Sequence, residues 1–382
     1  MPVDSRPRVA IDATALVGPR TGVGVMTAAI IERLLGSDEI DLQPLLVSLR
    51  GRRDLKAQLR SGPTAPGSST PPMRAPHSRA LWAPARLAHQ LWQRFDWPAV
   101  RNVDVVHGPN FVVPPAAKGA ELVTIHDFGP WRDPDLVTEH ARAYPILVDR
   151  ALARGAHVHV VSDFVGVEAQ ERLGIAAERV HVIRNGFEAG TRGDARLGRA
   201  LAGGPFVLFI GTIEPRKDLP TLVGAMADAW GEGLEHRLVV AGPDGWGSDA
   251  YEEAVARIGP AAERVHRVGY VTDAERSDLL AGASCLAYPS RYEGFGLPPL
   301  EAMAQDCPVV TTGAGALSET CGPAARYVDV GDTAGLAAAI TEVVTDDAVA
   351  AGLVAAGRER IEQFSWDDTA DRLAALYHSL AA

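Results

Sequence analysis

Two glutamates, Glu293 and Glu301, stand eight residues apart on either side of a turn rich in glycine and proline. Gly294 and Gly296 let the backbone pass close to a ligand, because glycine adopts conformations that other residues resist. The prolines at 298 and 299 suit the first positions of a helix, so Glu301 is predicted in the first helical turn. The helix end favours an anion, and the carboxylates can accept hydrogen bonds from hydroxyls. A diphosphate with sugars at both ends, which describes a nucleotide sugar, fits this pattern.

A second candidate feature is the pair of adjacent cations Arg216 and Lys217, which follows a predicted strand at residues 206–210. A planar guanidinium and a compact ammonium together suit a diphosphate. A lone Arg-Lys pair is usually solvated, so the pair indicates a binding site only together with neighbouring features. It lies in the same half of the chain as the two glutamates, which predicts one shared site.

Both segments resemble the signature of one enzyme family. Residues 293–304 read E-G-F-G-L-P-P-L-E-A-M-A and resemble E-G-F-G-L-P-x-L-E-A-M-A, the E-x7-E signature of the retaining glycosyltransferases of family 4. Residues 211–217 are similar to the family's G-T-x-x-x-R-K segment. The family usually has glycine and a small residue where this chain has Asp306 and Cys307. The resemblance implies an α/β protein of GT-B fold, with two Rossmann-like doubly wound domains facing across a cleft.

The resemblance also implies a role for each site residue. Arg216 and Lys217 would neutralise the departing nucleotide diphosphate, so no metal ion is expected. Glu293 would hold the donor sugar, with a nucleophilic role left open, and Glu301 would bind the nucleotide ribose. Val271 follows a predicted strand and would contribute to a base pocket. The further donor contacts implied are Gly211, Gly294, Phe295, Gly296, Leu297 and Glu319.

The first half of the chain supplies four further candidates. Residues 18–24 do not follow G-x-G-x-x-G, and no acidic residue ends the predicted second strand, which disfavours a dinucleotide fold. Gly22 and Gly24 instead resemble the family's T-G-[IV]-G loop beside the donor, with a plain turn as the alternative. His126 and Asp127 end a predicted strand and resemble the family's T-[IV]-H-D segment. That resemblance implies a catalytic His126 beside the reacting sugar, with Asp127 orienting it or binding the acceptor.

Apolar runs alternate with longer amphipathic stretches along the chain. This alternation predicts parallel sheets covered by helices on both faces. We predict an acceptor-side domain at residues 1–190, a nucleotide-sugar-binding domain at 191–365 and a C-terminal helix within 366–382 that packs back on the first domain. The predicted strands are residues 9–11, 45–49, 103–107, 121–125, 158–161 and 180–183 in the first series, and 206–210, 237–241, 265–268, 284–288, 308–311 and 325–328 in the second.

Composition narrows the classes of function. The chain has 382 residues, 47% of them hydrophobic, and a net charge of −11, which disfavours general binding to nucleic acid. Its three cysteines lack C-x-x-C spacing and indicate reduced thiols. The start shows no apolar core of a signal peptide, and no apolar run approaches the roughly 20 residues of a membrane span. We therefore predict a cytoplasmic protein, soluble or peripheral at the inner face of the membrane.

A basic segment at residues 50–97 stands out in this acidic chain. It holds nine Arg or Lys residues against two acids, and three of the seven tryptophans. One hypothesis is peripheral contact with an anionic membrane, with the tryptophan rings at the interface. The alternative is a solvated, Pro-rich loop at 61–76 followed by a core-packed helix at 81–92.

These observations predict a metal-independent, retaining glycosyltransferase. It would move a hexosyl unit, mannosyl by preference, from GDP-mannose or a UDP-hexose to a glycan or lipid-linked acceptor, with no cofactor beyond the donor. Two alternatives stay open: a GT-B enzyme of another reaction, such as a sugar-nucleotide epimerase or a phosphorylase, and a non-catalytic protein that binds a nucleotide sugar. The complete E-x7-E pattern and the Arg-Lys pair argue against the second alternative.

Overall fold

The computed structural model describes residues 6–17, 22–35, 37–47, 79–80, 85–134 and 137–382, and it forms two compact units. The N-terminal unit comprises Met1–Arg132, Glu139–Gly186 and Ser365–Ala382. The C-terminal unit comprises Asp133–Thr138 and Phe187–Phe364. The chain therefore returns to the N-terminal unit for its last residues. None of the helices in the described segments combines the length and apolarity needed to cross a membrane.

Within the described residues, the N-terminal unit is built on a seven-stranded sheet of order β3-β2-β1-β4-β5-β6-β7. Every pairing in it is parallel. The central strands are buried along nearly their whole length, which explains their runs of valine, leucine and isoleucine. The strands are β1 (Arg8–Asp12), β2 (Asp41–Leu46), β3 (Arg79–Ala80), β4 (Val105–Gly108), β5 (Ala120–Ile125), β6 (His157–Val160) and β7 (Val180–Val182).

Helices of the N-terminal unit begin and end at recognisable caps. The Ser162 hydroxyl accepts a hydrogen bond from the Val165 amide at 3.2 Å, and the same helix ends at Gly174 with φ +60°. Ser365 caps the last helix by accepting from the Asp367 and Asp368 amides. The helices are α1 (Gly22–Leu35), α2 (Ala85–Trp92), α3 (Gly129–Arg132), α4 (Tyr144–Ala153), α5 (Asp163–Leu173) and the C-terminal α14 (Trp366–Ala381).

The C-terminal unit repeats the plan with a six-stranded parallel sheet of order β10-β9-β8-β11-β12-β13 in the described chain. Its strands are β8 (Phe206–Ile210), β9 (Arg237–Ala241), β10 (Val265–Gly269), β11 (Cys285–Tyr288), β12 (Val309–Thr312) and β13 (Arg326–Val328). Its helices are α6 (Ala195–Ala202), α7 (Leu219–Gly231), α8 (Asp249–Arg257), α9 (Asp273–Gly282), α10 (Leu297–Ala304), α11 (Leu317–Cys321), α12 (Thr333–Thr345) and α13 (Asp347–Ile361).

A chain of buried hydrogen bonds joins α14 to the sheet of the N-terminal unit. His159 Nε2 donates to the Ile183 carbonyl at 2.9 Å, so a neutral His159 must accept at Nδ1 from the Thr124 hydroxyl at 2.9 Å. Thr124 then accepts from His107 Nε2 at 2.8 Å, and His107 Nδ1 accepts from the Tyr377 hydroxyl at 2.6 Å. Burial lowers the pKa of both imidazoles, that of His159 to about 4, which keeps them neutral. The Ile183 carbonyl thus fixes the donor and acceptor roles in four successive hydrogen bonds, and the last of these holds Tyr377 of α14.

The segment that leaves the N-terminal unit is packed against the start of α14. A Cβ atom at Gly186 would lie 2.2 Å from the Trp366 amide nitrogen, so no side chain fits there. The Thr369 hydroxyl also donates to the Arg184 carbonyl at 2.9 Å. Glycine in the Asn-Gly pair at 185–186 is therefore explained by close backbone packing.

Strand β2 begins at Asp41, four residues before its predicted start at Leu45. The added residues include Pro44 and the polar Asp41 and Gln43. The burial of residues 41–46 alternates at first between half-buried and buried, so these polar side chains lie on the more open face. Pro44 is tolerated within the strand, which shows that one proline does not exclude a short parallel strand.

The unusual residue after α10 is Asp306, which has a left-handed backbone with φ +58°. Glycine is favoured in that conformation, and aspartate adopts it more readily than most residues. The Asp306 carboxylate pairs with Arg192 and, at 2.7 Å, with Arg358. Hydrogen bonds from Arg358 lower the pKa of Asp306 to about 2, with Arg192 adding to the effect. These ion pairs give the aspartate a structural reason to stand where the family usually has glycine.

The structure also bears on the predictions for the cysteines and for the basic segment. The three cysteines, Cys285, Cys307 and Cys321, are buried free thiols. Most of the basic segment at 50–97, including the Pro-rich stretch at 61–76, lies outside the described residues. Within it the structure describes β3 and helix α2, which begins at Ala85 and ends at Trp92, the predicted last residue of the helix.

Candidate functional site

The loop between β11 and α10 carries the two glutamates of the E-x7-E segment. Gly296 caps α10 with φ +110°, a conformation that glycine allows, and Pro298 and Pro299 occupy the first turn. The prediction that Glu301 lies in that first turn is wrong. The helix begins at Leu297, so Glu301 is its fifth residue and belongs to the second turn.

Glu293, Arg216 and Lys217 come together in the C-terminal unit. Arg216 Nη1 lies 2.7 Å from Glu293 Oε2, and Lys217 Nζ lies 2.5 Å from Glu293 Oε1. Arg216 also donates to Glu214 Oε1 at 2.6 Å. Glu293 and Lys217 are each 7% exposed, whereas the Arg216 side chain is 29% exposed. Both oxygens of the predicted sugar-binding carboxylate are therefore engaged by the two predicted diphosphate-binding cations.

The charges in this cluster depend on one another. Burial alone would raise the pKa of Glu293, but the charges of Arg216 and Lys217 outweigh it and lower that pKa to about 2. Burial lowers the pKa of Lys217, an effect that the Glu293 charge opposes. Glu293 is thus ionised across the physiological pH range. A fixed carboxylate holds two cations at a buried point, which is a preorganised arrangement for an anionic leaving group.

Two backbone contacts fix this cluster. The Ala316 amide donates to the Glu293 carbonyl at 2.8 Å, and the Arg291 amide donates to the Arg216 carbonyl at 2.8 Å. Gly315 has φ +64°, and a Cβ there would lie 2.2 Å from the Glu293 carbonyl oxygen. The position of Glu293 therefore depends on a glycine in the next strand-to-helix connection.

Glu301 pairs with a residue outside the cluster of Glu293, Arg216 and Lys217. Its Oε2 accepts from Arg276 Nη2 of α9, and each of the two side chains is 30% exposed. The carboxylate predicted to bind ribose is therefore partly open to solvent and held by a residue that the motif does not contain.

The other predicted donor-binding residues lie on several connections of the same unit. Gly211 follows β8 with φ +148°, and its carbonyl would clash at 2.0 Å with a Cβ at Gly242. Val271 lies between β10 and α9, and Glu319 lies in α11, where its carbonyl accepts from Arg360. Gly294, Phe295 and Gly296 form the loop that leads into α10, and Leu297 is the first residue of that helix.

The remaining predicted residues lie in the N-terminal unit. His126 Nε2 donates to the Pro109 carbonyl at 2.7 Å, and burial lowers the pKa of this imidazole. Asp127 accepts from the Gly129 amide at 2.8 Å and so begins α3. Gly22 and Gly24 belong to the start of α1 and not to a loop, while residues 18–21 lie outside the described residues. The donor contact assigned to the two glycines stays a prediction. The catalytic and acceptor roles assigned to His126 and Asp127 stay predictions.

Sequence reasoning missed two members of the cluster, Tyr288 and Glu214. Tyr288 is fully buried, its hydroxyl accepts from Lys217, and the Lys217 ammonium lies 4.6 Å from its ring centroid. Glu214 is 7% exposed and pairs with Arg216. Glu214 stands inside the segment 211–217, and Tyr288 lies five residues before Glu293. Two features of the sequence could have indicated them: Glu214 stands two residues before Arg216, and Tyr288 is the aromatic residue that ends β11.

The described residues were expected to hold no metal ion. No group of three or more His, Cys, Asp or Glu side chains in them is arranged to hold a metal ion. The expectation of a metal-independent enzyme stays a prediction.

The architecture matches solved glycosyltransferase structures. Sucrose-phosphate synthase from Thermosynechococcus elongatus aligns over 98% of this chain and 99% of its own, with a TM-score of 0.73 and 20% identity. HepE from Anabaena, solved in complex with UDP and glucose, aligns over 98% and 100%, with a TM-score of 0.72 and 19% identity. At these identities the likeness defines the fold, which is the GT-B fold of two Rossmann-like domains.

Family models then identify the chain more closely. Residues 21–190 match the model described as Glycosyltransferase Family 4, and residues 204–346 match Glycosyl transferases group 1. The chain therefore belongs to the glycosyltransferases that carry these two domains, which confirms the predicted glycosyltransferase family. The retaining mechanism stays a prediction. It is 28% identical to the O-antigen chain mannosyltransferase B of Escherichia coli over 368 residues, 92% of this chain and 94% of that protein.

Proposed function

We propose that the protein is a retaining, metal-independent hexosyltransferase that uses a nucleotide diphosphate sugar. The observation that carries the proposal is the buried cluster in which Glu293 holds Arg216 and Lys217 within 2.7 Å. Two cations fixed beside the start of α10 suit a leaving diphosphate, because preorganised charge stabilises the transition state without reorganisation. This arrangement supplies the electrostatic stabilisation that a metal ion gives in other transferases.

The geometry also favours one role for Glu293. Lys217 and Arg216 engage its two oxygens, and Glu293 itself is 7% exposed. A carboxylate with both oxygens in charge-assisted hydrogen bonds is a poor nucleophile. We therefore assign Glu293 to positioning the cations and the donor sugar. The acceptor would attack from the face of the leaving group, and the leaving phosphate would take the acceptor proton.

The proposed donor is GDP-mannose. The 28% identity to the O-antigen chain mannosyltransferase B over nearly the whole of both chains supports a mannosyl donor. UDP-glucose is the second candidate, since the structurally similar HepE is solved with UDP and glucose. The proposed acceptor is a glycan or a lipid-linked glycan, in the cytoplasm or at the inner face of the membrane.

Thermal unfolding with nucleotides and nucleotide sugars, in the presence of EDTA, tests the donor site. We expect GDP and GDP-mannose to raise the melting temperature more than UDP and UDP-glucose do. Ligand at about 100 times its dissociation constant adds about 2.7 kcal/mol to the free energy of unfolding, which is a visible shift. No shift with any nucleotide, with or without EDTA, would contradict a preformed donor site.

A further inference from the structure

The C-terminal unit contains an ion pair that the motif does not include. Arg276 Nη2 in α9 donates to Glu301 Oε2 in α10. Each side chain is 30% exposed, so the pair is half-buried with one edge open to solvent. Arg276 Nε is buried, and it has no acceptor in the described part of the chain. Glu301 is thus the acceptor on which this guanidinium depends in the described structure.

The helix that carries Arg276 is firmly placed. Thr272 and Glu275 form a capping box, in which the Thr272 amide donates to Glu275 Oε2 at 2.8 Å and the Glu275 amide donates to Thr272 Oγ1 at 3.3 Å. The Arg276 amide donates to the Thr272 carbonyl at 2.8 Å. Because α9 begins at Asp273, two residues after Val271, Arg276 ties the connection predicted to hold the base to the helix predicted to hold the ribose.

We propose that Arg276 is a positioning residue that orients the Glu301 carboxylate toward the two adjacent hydroxyls of the donor ribose. This inference rests on the proposed function. An ionised carboxylate offers about four lone-pair sites, and Arg276 occupies one of them on Oε2. Oε1 and the second site on Oε2 can then accept from the 2′ and 3′ hydroxyls together. The remaining lone pairs of the carboxylate can therefore accept hydrogen bonds from the ribose. The ion pair with Arg276 also limits the orientations that the Glu301 side chain can adopt.

The test compares ribose and 2′,3′-dideoxyribose forms of GDP and UDP by isothermal titration calorimetry. For wild type, we expect the better-binding nucleotide to prefer ribose by about tenfold or more, the scale of hydrogen bonds to a charged group. Arg276→Ala should lower that preference about tenfold by weakening the ribose form while leaving the dideoxy form nearly unchanged. Arg276→Lys should retain most of the preference, and Glu301→Gln should lose most of it.

Arg257→Ala is the matched control. It removes another Arg–Glu pair of the same unit, with Glu253 in α8, and should leave the preference unchanged. If Arg276→Ala does not fold, Arg276→Gln serves, because its neutral amide can keep one hydrogen bond to Glu301. An intermediate preference for ribose is then expected.

Four outcomes would overturn the inference. Equal weakening of both forms by Arg276→Ala would give Arg276 a structural role alone, and an unchanged preference would give it no role. A wild type that binds either nucleotide without preferring ribose would remove the role of Glu301 but leave the proposed function standing. A wild type that binds neither GDP nor UDP would instead contradict the proposed function, and with it this inference.

Discussion

Lys217→Met is expected to slow glycosyl transfer by at least about a hundredfold while the protein stays folded. Lys217 Nζ lies 2.5 Å from Glu293 Oε1, at a buried position beside the proposed diphosphate site. Removing one preorganised donor to a developing charge typically costs about 10² to 10³ in rate. Methionine keeps an apolar stem over the ring of Tyr288, and Glu293 keeps Arg216 as a partner, so the fold should persist.

The measurement is initial-rate turnover of the donor, with circular dichroism to establish folding at the assay temperature. Lys118→Ala is the control, because Lys118 is an exposed lysine of the other unit. It should keep the wild-type rate. Wild-type turnover in a folded Lys217→Met protein would exclude Lys217 from the site.

Gly315→Ala is expected to reduce both stability and transfer. A Cβ at this position would lie 2.2 Å from the Glu293 carbonyl oxygen and 2.7 Å from its amide nitrogen, so the Glu293 loop must move. The left-handed backbone adds strain of about 1–2 kcal/mol, and overpacking adds about 1–3 kcal/mol. A displacement of the catalytic loop by about 1 Å can cost about 10²-fold in rate.

Gly259→Ala separates strain from the clash. Gly259 has φ +59°, close to the +64° of Gly315, and a Cβ there would meet nothing within 4 Å. Urea unfolding should therefore show a loss of about 1–2 kcal/mol for Gly259→Ala and a clearly larger loss for Gly315→Ala. Transfer should fall in the second variant only. Equal losses of stability with unchanged turnover in both would mean that Gly315 does not support the Glu293 loop.

The fold was largely readable from the sequence because parallel strands buried on both faces give short, continuous apolar runs. The runs at 206–210 and 237–241 match β8 and β9 residue for residue. The start of strand β2 was predicted too late because Pro44 and the polar residues before it interrupt the apolar run. The pairing of these residues with β1 becomes visible only in the folded sheet. The two residues of β3 carry no periodicity of their own, so no reading of the sequence alone could find them.

The candidate site was readable to the extent that its residues lie in continuous motifs. The sequence predicted that Glu293, Arg216 and Lys217 would share a site, but not that they would pair with one another. Arg276 was missed because it lies 25 residues from Glu301 in a segment without a motif, and only the packing of α9 beside α10 brings them together. The same limit applies to the buried hydrogen bonds from α14, whose partners are separated by up to 270 residues.

The most direct test of the proposed function is a transfer assay with EDTA present, in which GDP-mannose labelled in the sugar is followed by nuclear magnetic resonance. Mannose-terminated glycans and lipid-linked glycans serve as acceptors, with UDP-glucose as the second donor. We expect a new glycosidic bond that keeps the anomeric configuration of the donor, formed at a rate that EDTA does not reduce. An inverted product, isomerised donor without transfer, or cleavage that requires inorganic phosphate would contradict it.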